Sequence, residues 1–411
     1  MRIVYLSGSG QLGGAERCLL DVMQAVRCLE PSWDVTLVSS RPGPIVEHAR
    51  ALGIAVEVVA MPESVARLGD SVAQDRGRGL LGLGVRTLAA VGGIMEYRRQ
   101  LRRVLKRHAP DIVHTNGFKM HIMGAWSRPS GAALVWHLHD YISSRPLMVH
   151  AVRHHSRYCD AAIAVSHSVA RDAAPMWRGR TPVQVVLNGV NLDEFNPSGR
   201  CADLDALAGL PPAAAGTVRV GLVATMGRFK GHDVFLRAIA RLPRSLPVRA
   251  YVVGGALYET RGSEFSVEQL RALAGELGVG AVVGFTGFIE DPSTAIRALD
   301  IVVHATVVPE PFGLVVAEGM ACARAVITSA AGGAGELVRD GEDALVHEPG
   351  SVEGLASAIQ RLVEDPGSRH RLGEAGRRSA ELRFDRRRVG EEVMTVYRST
   401  MAHGSRARAS A

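Results

Sequence analysis

Residues 301–336, IVVHATVVPEPFGLVVAEGMACARAVITSAAGGAGE, read as one βαβ unit. A β-type run opens at Ile301–Val303 and another at Ala325–Thr328. Between them lies Pro309-Glu310-Pro311-Phe312-Gly313, then a helical segment from Leu314 to Ala323. Strand, loop, helix, strand is the building block of a parallel α/β sheet. Pro311 suits a helix start, because its missing N–H would have no partner there.

Two carboxylates frame this unit. Glu310 sits on the loop at the C-terminal end of the strand, and Glu318 lies eight positions on, inside the helix. The N–H groups of Gly313, Leu314 and Val315 would open that helix and form a positive end suited to an anion such as phosphate. Gly313 lets a ligand approach the backbone closely. Glu318 is placed to accept hydrogen bonds from sugar hydroxyls beside such an anion. Taken alone, both glutamates read equally well as surface residues on an ordinary crossover.

The wider pattern is more specific. Glu310, seven residues, Glu318, then Gly332-Gly333-x-x-Glu336 resembles the signature of the retaining, family-4-type (GT4) glycosyltransferases of GT-B fold. The resemblance implies that the first glutamate contacts the donor sugar and the second holds the nucleotide ribose. It also implies that the loop and helix amides hold the diphosphate.

Size and composition agree with such a chain. The 411 residues suggest two to three domains, and 47% hydrophobic, 22% charged and 45 glycines are the composition of a globular α/β protein. No uncharged apolar run approaches the roughly 18 residues of a membrane span. The start, MRIVYLSGSG, reads as a strand and a turn, without a secretory signal. Cys18, Cys28, Cys159, Cys201 and Cys322 are scattered, with no Cys-x-x-Cys, and read as reduced cytosolic thiols. The net charge of +7 lies wholly in the N-terminal half: residues 1–195 hold 23 Lys and Arg against 16 Asp and Glu, and the remainder 25 of each. No nucleic-acid motif or aromatic platform accompanies that charge. An anionic membrane surface or an anionic acceptor is the expected partner.

In the first half, Arg2–Ser7 is a short strand followed by the glycine turn Gly8 to Glu16 and a helix from about Ala15 to Val26. Gly8, Gly10 and Gly13 match the dinucleotide fingerprint, but the second strand, Asp34–Val38, ends in Ser39-Ser40-Arg41 without the confirming acid. Three readings stay open: an NADP site using Arg41, a bare turn, or the family's donor-facing loop, which the variant Gly13-Gly14-x-Glu16 resembles. From Leu80 to His108 a weakly apolar segment becomes strongly basic, and Leu101, Val104 and Leu105 share one helical face. It reads as a membrane or acceptor-phosphate contact, or as a crossover helix with a solvated basic face. Asp111–Thr115 and Leu134–Leu138 are strands, and His139-Asp140 follows the second. Ligand sites of α/β sheets gather at such strand ends. The resemblance places a histidine like His139 near the donor sugar; a structural loop histidine is the alternative. Val185 to Asn191 resembles the family's strand and turn before the interdomain connection.

In the second half, residues 198–216 read as an Ala/Pro/Gly-rich connection. Arg219–Ala224 then starts a second Rossmann-like unit, which ends in Met226-Gly227-Arg228-Phe229-Lys230-Gly231-His232. Arg228 and Lys230 at a strand's C-terminal end can reach one diphosphate, the first as a fork and the second as a point charge. About 80 residues before Glu310, this Gly-Arg-x-Lys-Gly resembles the family's diphosphate clamp. The resemblance implies that the backbone of Phe288 to Pro292 borders the nucleotide base. A last helix from about Arg386 places Val389, Val393, Val396 and Tyr397 on one side.

The expected architecture is α/β: two facing Rossmann-like βαβ domains (GT-B) with an interdomain cleft and a C-terminal helix crossing back. The expected boundaries are 1–195 for the acceptor-side domain and 196–385 for the nucleotide-sugar domain. The helix would return over 386–402, and 403–411 would form a disordered tail. The resemblance implies a metal-independent, retaining transfer from a UDP- or GDP-sugar to an acceptor; the basic first half points to a glycan or lipid-linked acceptor, in cell-envelope polysaccharide or glycolipid synthesis. It needs no cofactor and no metal, and is expected in the cytoplasm, at the inner membrane face. The implied site is Glu310 and His139 on the sugar, Arg228 and Lys230 on the diphosphate with Gly13, Gly14, Gly313, Leu314 and Val315, and Glu318 on the ribose. Two rivals are a non-catalytic nucleotide-sugar-binding or membrane-docking relative and an NADP-dependent oxidoreductase. The chain departs from the family pattern at Ala323-Arg324-Ala325, where Gly-x-Pro is common, and at Asn116, where a histidine is common.

Overall fold

A computed structural model describes residues 1–66, 80–177, 181–255 and 264–409. The chain divides into two compact units, residues 1–187 with 387–411, and residues 188–386.

The first unit is built on seven parallel strands: β1 (Arg2–Ser7), β2 (Asp34–Ser39), β3 (Ala55–Val58), β4 (Ile112–Asn116), β5 (Ala133–Leu138), β6 (Ala161–Ala164) and β7 (Val183–Val185). Their order is β3-β2-β1-β4-β5-β6-β7. Central strands carry apolar runs such as Ile3, Val4, Tyr5 and Leu6, all buried, because helices cover both faces of a parallel sheet. β7 ends at Val185, so the run expected to start there instead forms the exit from the sheet.

The helices Gly14–Leu29 and Arg386–Ala409 pack against each other on this sheet. A Cβ on Gly390 would lie 2.7 Å from that of Ala25, so glycine permits the close approach. Val389, Val393, Val396 and Tyr397 enter the same core as Ile3, Tyr5, Leu19 and Met23, as their spacing predicts. The backbone stays helical through Ala409, beyond the expected stop at 402. The arginine and alanine residues of that stretch are strong helix formers.

The second unit has six parallel strands: β8 (Val218–Val223), β9 (Val248–Val253), β10 (Val283–Gly287), β11 (Ile301–His304), β12 (Ala325–Ser329) and β13 (Leu345–His347). Their order is β10-β9-β8-β11-β12-β13. The presumed connection 198–216 holds a short helix, Leu204–Ala208, capped by Asp203 and stopped by Gly209 at φ 68°. Its Asp205 takes hydrogen bonds from Tyr251 Oη at 2.7 Å and Arg249 at 2.8 Å, which ties the segment into this unit. The Ala/Pro-rich composition concealed that anchor.

Both sheets reverse direction once. The reversal falls between β1 and β4 in the first unit and between β8 and β11 in the second. At such a switch point the loops leave the strand ends in opposite directions and open a crevice where ligands bind.

Candidate active site

The second unit's switch point gathers most of the candidate charged residues. After β8 the chain makes a 3₁₀ turn, Arg228–Lys230, then Gly231 at φ 73°. A Cβ on Gly231 would come within 2.0 Å of the Ala305 carbonyl oxygen, so only glycine lets this turn lie against the end of β11. The Val307 amide donates to the Phe229 carbonyl at 2.9 Å and fastens the two loops together.

Lys230 and Glu310, eighty positions apart, meet here. Lys230 Nζ donates to Glu310 Oε1 at 2.5 Å, with side chains only 18% and 15% exposed. Glu310 Oε2 accepts from Thr306 Oγ1 at 2.7 Å and faces His304 Nε2 at 2.8 Å. The Gly333 amide donates to the Glu310 carbonyl at 2.7 Å, so the Gly332-Gly333 turn holds the glutamate's backbone. Burial would raise the Glu310 pKa, but Lys230 and His304 hold it well below the usual carboxylate range. Glu310 is therefore an ionised acceptor.

Arg228 lies 4.2 Å over the Phe265 ring, which orients the guanidinium without using its N–H donors. Lys230 is an ammonium with three donor hydrogens, so one bond to Glu310 leaves capacity for a phosphate oxygen.

The helix after Glu310 runs Leu314–Ala321, with Gly313 as N-cap at φ 91° and no side-chain cap. Pro311 thus precedes the cap and shapes the loop rather than occupying the first helical position. Leu314 and Val315 lie in the first turn, where N–H groups point outward and the helix dipole is positive. Glu318 is one turn on from Leu314, on the same half-exposed face. The helix is two residues shorter than expected, because Ala323 takes φ 53°.

The remaining candidates belong to the first unit. Gly13 is the N-cap and Gly14 the first residue of the helix Gly14–Leu29. Gly10 packs elsewhere: a Cβ there would lie 2.2 Å from the Pro42 carbonyl oxygen. In a dinucleotide fingerprint the second glycine admits the pyrophosphate. Here it admits the loop after β2, which argues against the NADP reading.

His139 directly follows β5, and its ring lies 4.1 Å from that of His137. Burial pushes the His139 pKa down to about 3, so the ring is neutral at physiological pH. It suits hydroxyl contacts better than pairing with a phosphate. Behind it runs a buried chain the sequence did not disclose. His137 Nδ1 is 3.2 Å from His114 Nε2, and His114 Nδ1 is 2.7 Å from Tyr397 Oη.

In the basic helix, Tyr97, Leu101, Val104 and Leu105 are buried. Its apolar stripe faces the core and leaves Arg102, Arg103 and Lys106 exposed.

One family model, Glycosyltransferase Family 4, matches residues 12–194. A second, Glycosyl transferases group 1, matches residues 215–379. The chain belongs to the family-4-type glycosyltransferases of GT-B fold.

A D-inositol 3-phosphate glycosyltransferase of Mycobacterium sp. (strain KMS) is 40% identical over 165 residues, 39% of this chain and 34% of that protein. D-inositol 3-phosphate glycosyltransferase 2 of Catenulispora acidiphila is 34% identical over 221 residues, 49% of this chain and 50% of that one. The chain thus spans about a third to a half of the length of these curated relatives. Among solved structures, Anabaena Alr3699/HepE in complex with UDP and glucose matches with TM-score 0.78 and 26% identity, over 97% of this chain and 100% of that one. Sucrose-phosphate synthase from Thermosynechococcus elongatus shares the fold, with TM-score 0.77, 21% identity and coverage of 98% and 100%.

Proposed function

We propose that this chain transfers a sugar from a nucleoside-diphospho-sugar to a hydroxyl acceptor, with retention of anomeric configuration and without a metal. The observation that carries the reading is the junction of Lys230 and Glu310 at the β8/β11 switch point. A cation for a diphosphate and an ionised acceptor for sugar hydroxyls are thereby set side by side. The Anabaena relative, whose structure is described with UDP and glucose, supports a UDP-sugar over a GDP-sugar.

In this reading Arg228, Lys230 and the amides of Gly313, Leu314 and Val315 hold the diphosphate. They stabilise charge developing on it as the glycosidic bond breaks. Glu318 holds ribose hydroxyls. Glu310 and the neutral His139 hold the sugar, and Gly13 and Gly14 keep their loop open to close approach. The departing phosphate assists deprotonation of the acceptor.

The test is a panel of UDP- and GDP-sugars with varied acceptors, following nucleoside diphosphate release by wild type and Glu310→Ala. Release by wild type alone, from one donor, is expected. Binding without turnover for every donor and acceptor would favour a non-catalytic binder.

For the acceptor we propose a lipid-linked or polysaccharide precursor at an anionic membrane surface, the inner face of a cell membrane. Exposed Arg102, Arg103 and Lys106 support it, with Val91 and Met95 on the same helix 53% and 42% exposed. With the apolar stripe buried, such docking is electrostatic and weakens with salt. No helix among the described residues is long and apolar enough to cross a membrane. Flotation with anionic vesicles should occur at low salt and disappear in Arg102→Glu/Arg103→Glu/Lys106→Glu. Absence of flotation at low salt contradicts it.

A further inference from the structure

Glu310 is held by a set of side chains that the motif does not contain. His304 closes β11, and Thr306 lies two residues on, on the same side of the chain. Thr328 stands beside His304 on β12, in direct register. His304 is 3% exposed, and Thr306 and Thr328 are fully buried. Two of these buried side chains, His304 and Thr306, reach one partly exposed carboxylate, and Thr328 reaches it through His304, where Ile301 and Val303 of the same strand are simply apolar. Filling the space would need only residues of the latter kind.

The contact with a carboxylate places one of the ring protons. A carboxylate only accepts, so His304 Nε2, 2.8 Å from Glu310 Oε2, carries a hydrogen. On the other side of the ring, Nδ1 lies 2.9 Å from Thr328 Oγ1, a contact that orients the imidazole. Thr306 Oγ1 lies 2.7 Å from both His304 Nε2 and Glu310 Oε2 and closes the triangle. Lys230 takes the other carboxylate oxygen.

We propose that His304 is a positioning residue for the transfer reaction: oriented by Thr328, it fixes with Thr306 the carboxylate that receives the donor sugar. The proposal rests on the reading of Glu310 given above. His304 touches no substrate; it acts through the angle and the ionisation of Glu310. Lys230 from the turn after β8 and His304 from β11 both act on that ionisation. His347 on β13 lies behind His304, close to its backbone. Burial opposes the charge, so removing His304 leaves Glu310 less strongly held and easier to protonate.

The experiment compares transfer by wild type, His304→Ala, His304→Gln, Thr306→Val and Thr328→Val between pH 4.5 and 8. His304→Ala should lower kcat at pH 7 at least tenfold, with donor KM changed less than threefold. It should also bring an acidic limb into the pH–rate profile above pH 5 that wild type lacks. Glutamine can donate from its amide, so His304→Gln should recover to within about threefold of wild type and lose that limb. The near-isosteric Thr306→Val keeps the test available if His304→Ala does not fold, and should show the same limb. Profiles of unchanged shape in His304→Ala or Thr306→Val, or a glutamine variant as impaired as alanine, would overturn the proposal.

A second readout needs no substrate. In the histidine ring ¹⁵N spectrum of the full chain at pH 8, the signal missing from His304→Gln should show its proton on Nε2. In Thr328→Val the carboxylate still holds the proton on Nε2, and the Nδ1 signal should shift as its partner is lost. A wild-type ring without a proton on Nε2 would refute the arrangement even with transfer established. Correct ¹⁵N signals from a chain that turns over no donor would instead indict the functional reading.

Discussion

The two units share one architecture and furnish its switch point in opposite ways. Between β8 and β11 stand Arg228, Lys230 and Glu310, charged groups held in register by a glycine turn and a hydrogen-bonded triangle. Between β1 and β4 lies a turn of glycines, with neutral buried histidines, His114 and His139, nearby on β4 and after β5. The difference teaches where specificity of each kind resides. A diphosphate demands fixed opposite charge, which on the proposed reading these charged residues would supply. A neutral ring can recognise hydroxyls without repelling or trapping an anion.

This contrast makes its largest prediction about chemistry. Glu310→Gln keeps size and loses charge, and should reduce turnover at least a thousandfold. His139→Ala should cost about tenfold in kcat, near the contribution of a hydrogen bond or two. Steady-state rates with one donor decide it; equal losses would erase the distinction.

Lys230→Ala should act on stability as well. It strips a partner from a mostly buried carboxylate, and losses of that kind run to about 3 kcal/mol. Denaturant unfolding should show it, and a change below about 1 kcal/mol would mean that His304 and Thr306 suffice alone.

Acid should separate the units. Burial pushes His114 and His139 down to about 3, and His121 and His137 well below the ordinary 6.5. As pH falls below 6.5, the unfolded chain binds protons that these folded rings refuse, so the first unit loses stability from there downward. Glu310 is the depressed-carboxylate case, whose contribution is lost only as pH falls below 4.5. His232, pushed down to about 4, and His347, also pushed down by burial, add smaller losses of the histidine kind to the second unit. Calorimetry at pH 7.5 and 5.5 should show the first unit's transition falling further. Equal falls would contradict the assignment.

The smallest effect concerns Ala323. It occupies φ 53°, which costs an L-residue about 1 kcal/mol and glycine almost nothing. Ala323→Gly should raise the second unit's stability by about that amount and leave turnover unchanged. It also labels which calorimetric transition belongs to that unit.

These particular residues show what the sequence could disclose. The placement of Arg228, Lys230 and Glu310 after strand ends, and of Glu318 in the helix that follows, was legible because each belongs to a pattern with fixed spacing. The parallel sheets were legible from their buried apolar runs. His304, Thr306 and Thr328 were not, because they contact one another across two strands and no linear spacing encodes that register. His304-Ala305-Thr306, polar residues alternating at the end of an apolar strand, was the available signal. Gly10 misled in the other direction: its motif suggests a ligand, and only the fold reveals the Pro42 carbonyl facing it. The segment 198–216 was read by composition, which cannot register that Asp205 meets Arg249 and Tyr251.

The central claim is that the β8/β11 switch point holds a nucleoside diphosphate, and its most direct test is calorimetric titration of UDP and GDP. Wild type is compared with Arg228→Ala/Lys230→Ala. Two charge-assisted contacts together contribute about 3 kcal/mol or more, so the variant should bind the preferred nucleotide over a hundredfold more weakly. Folded variant protein with undiminished affinity would contradict the account at its base.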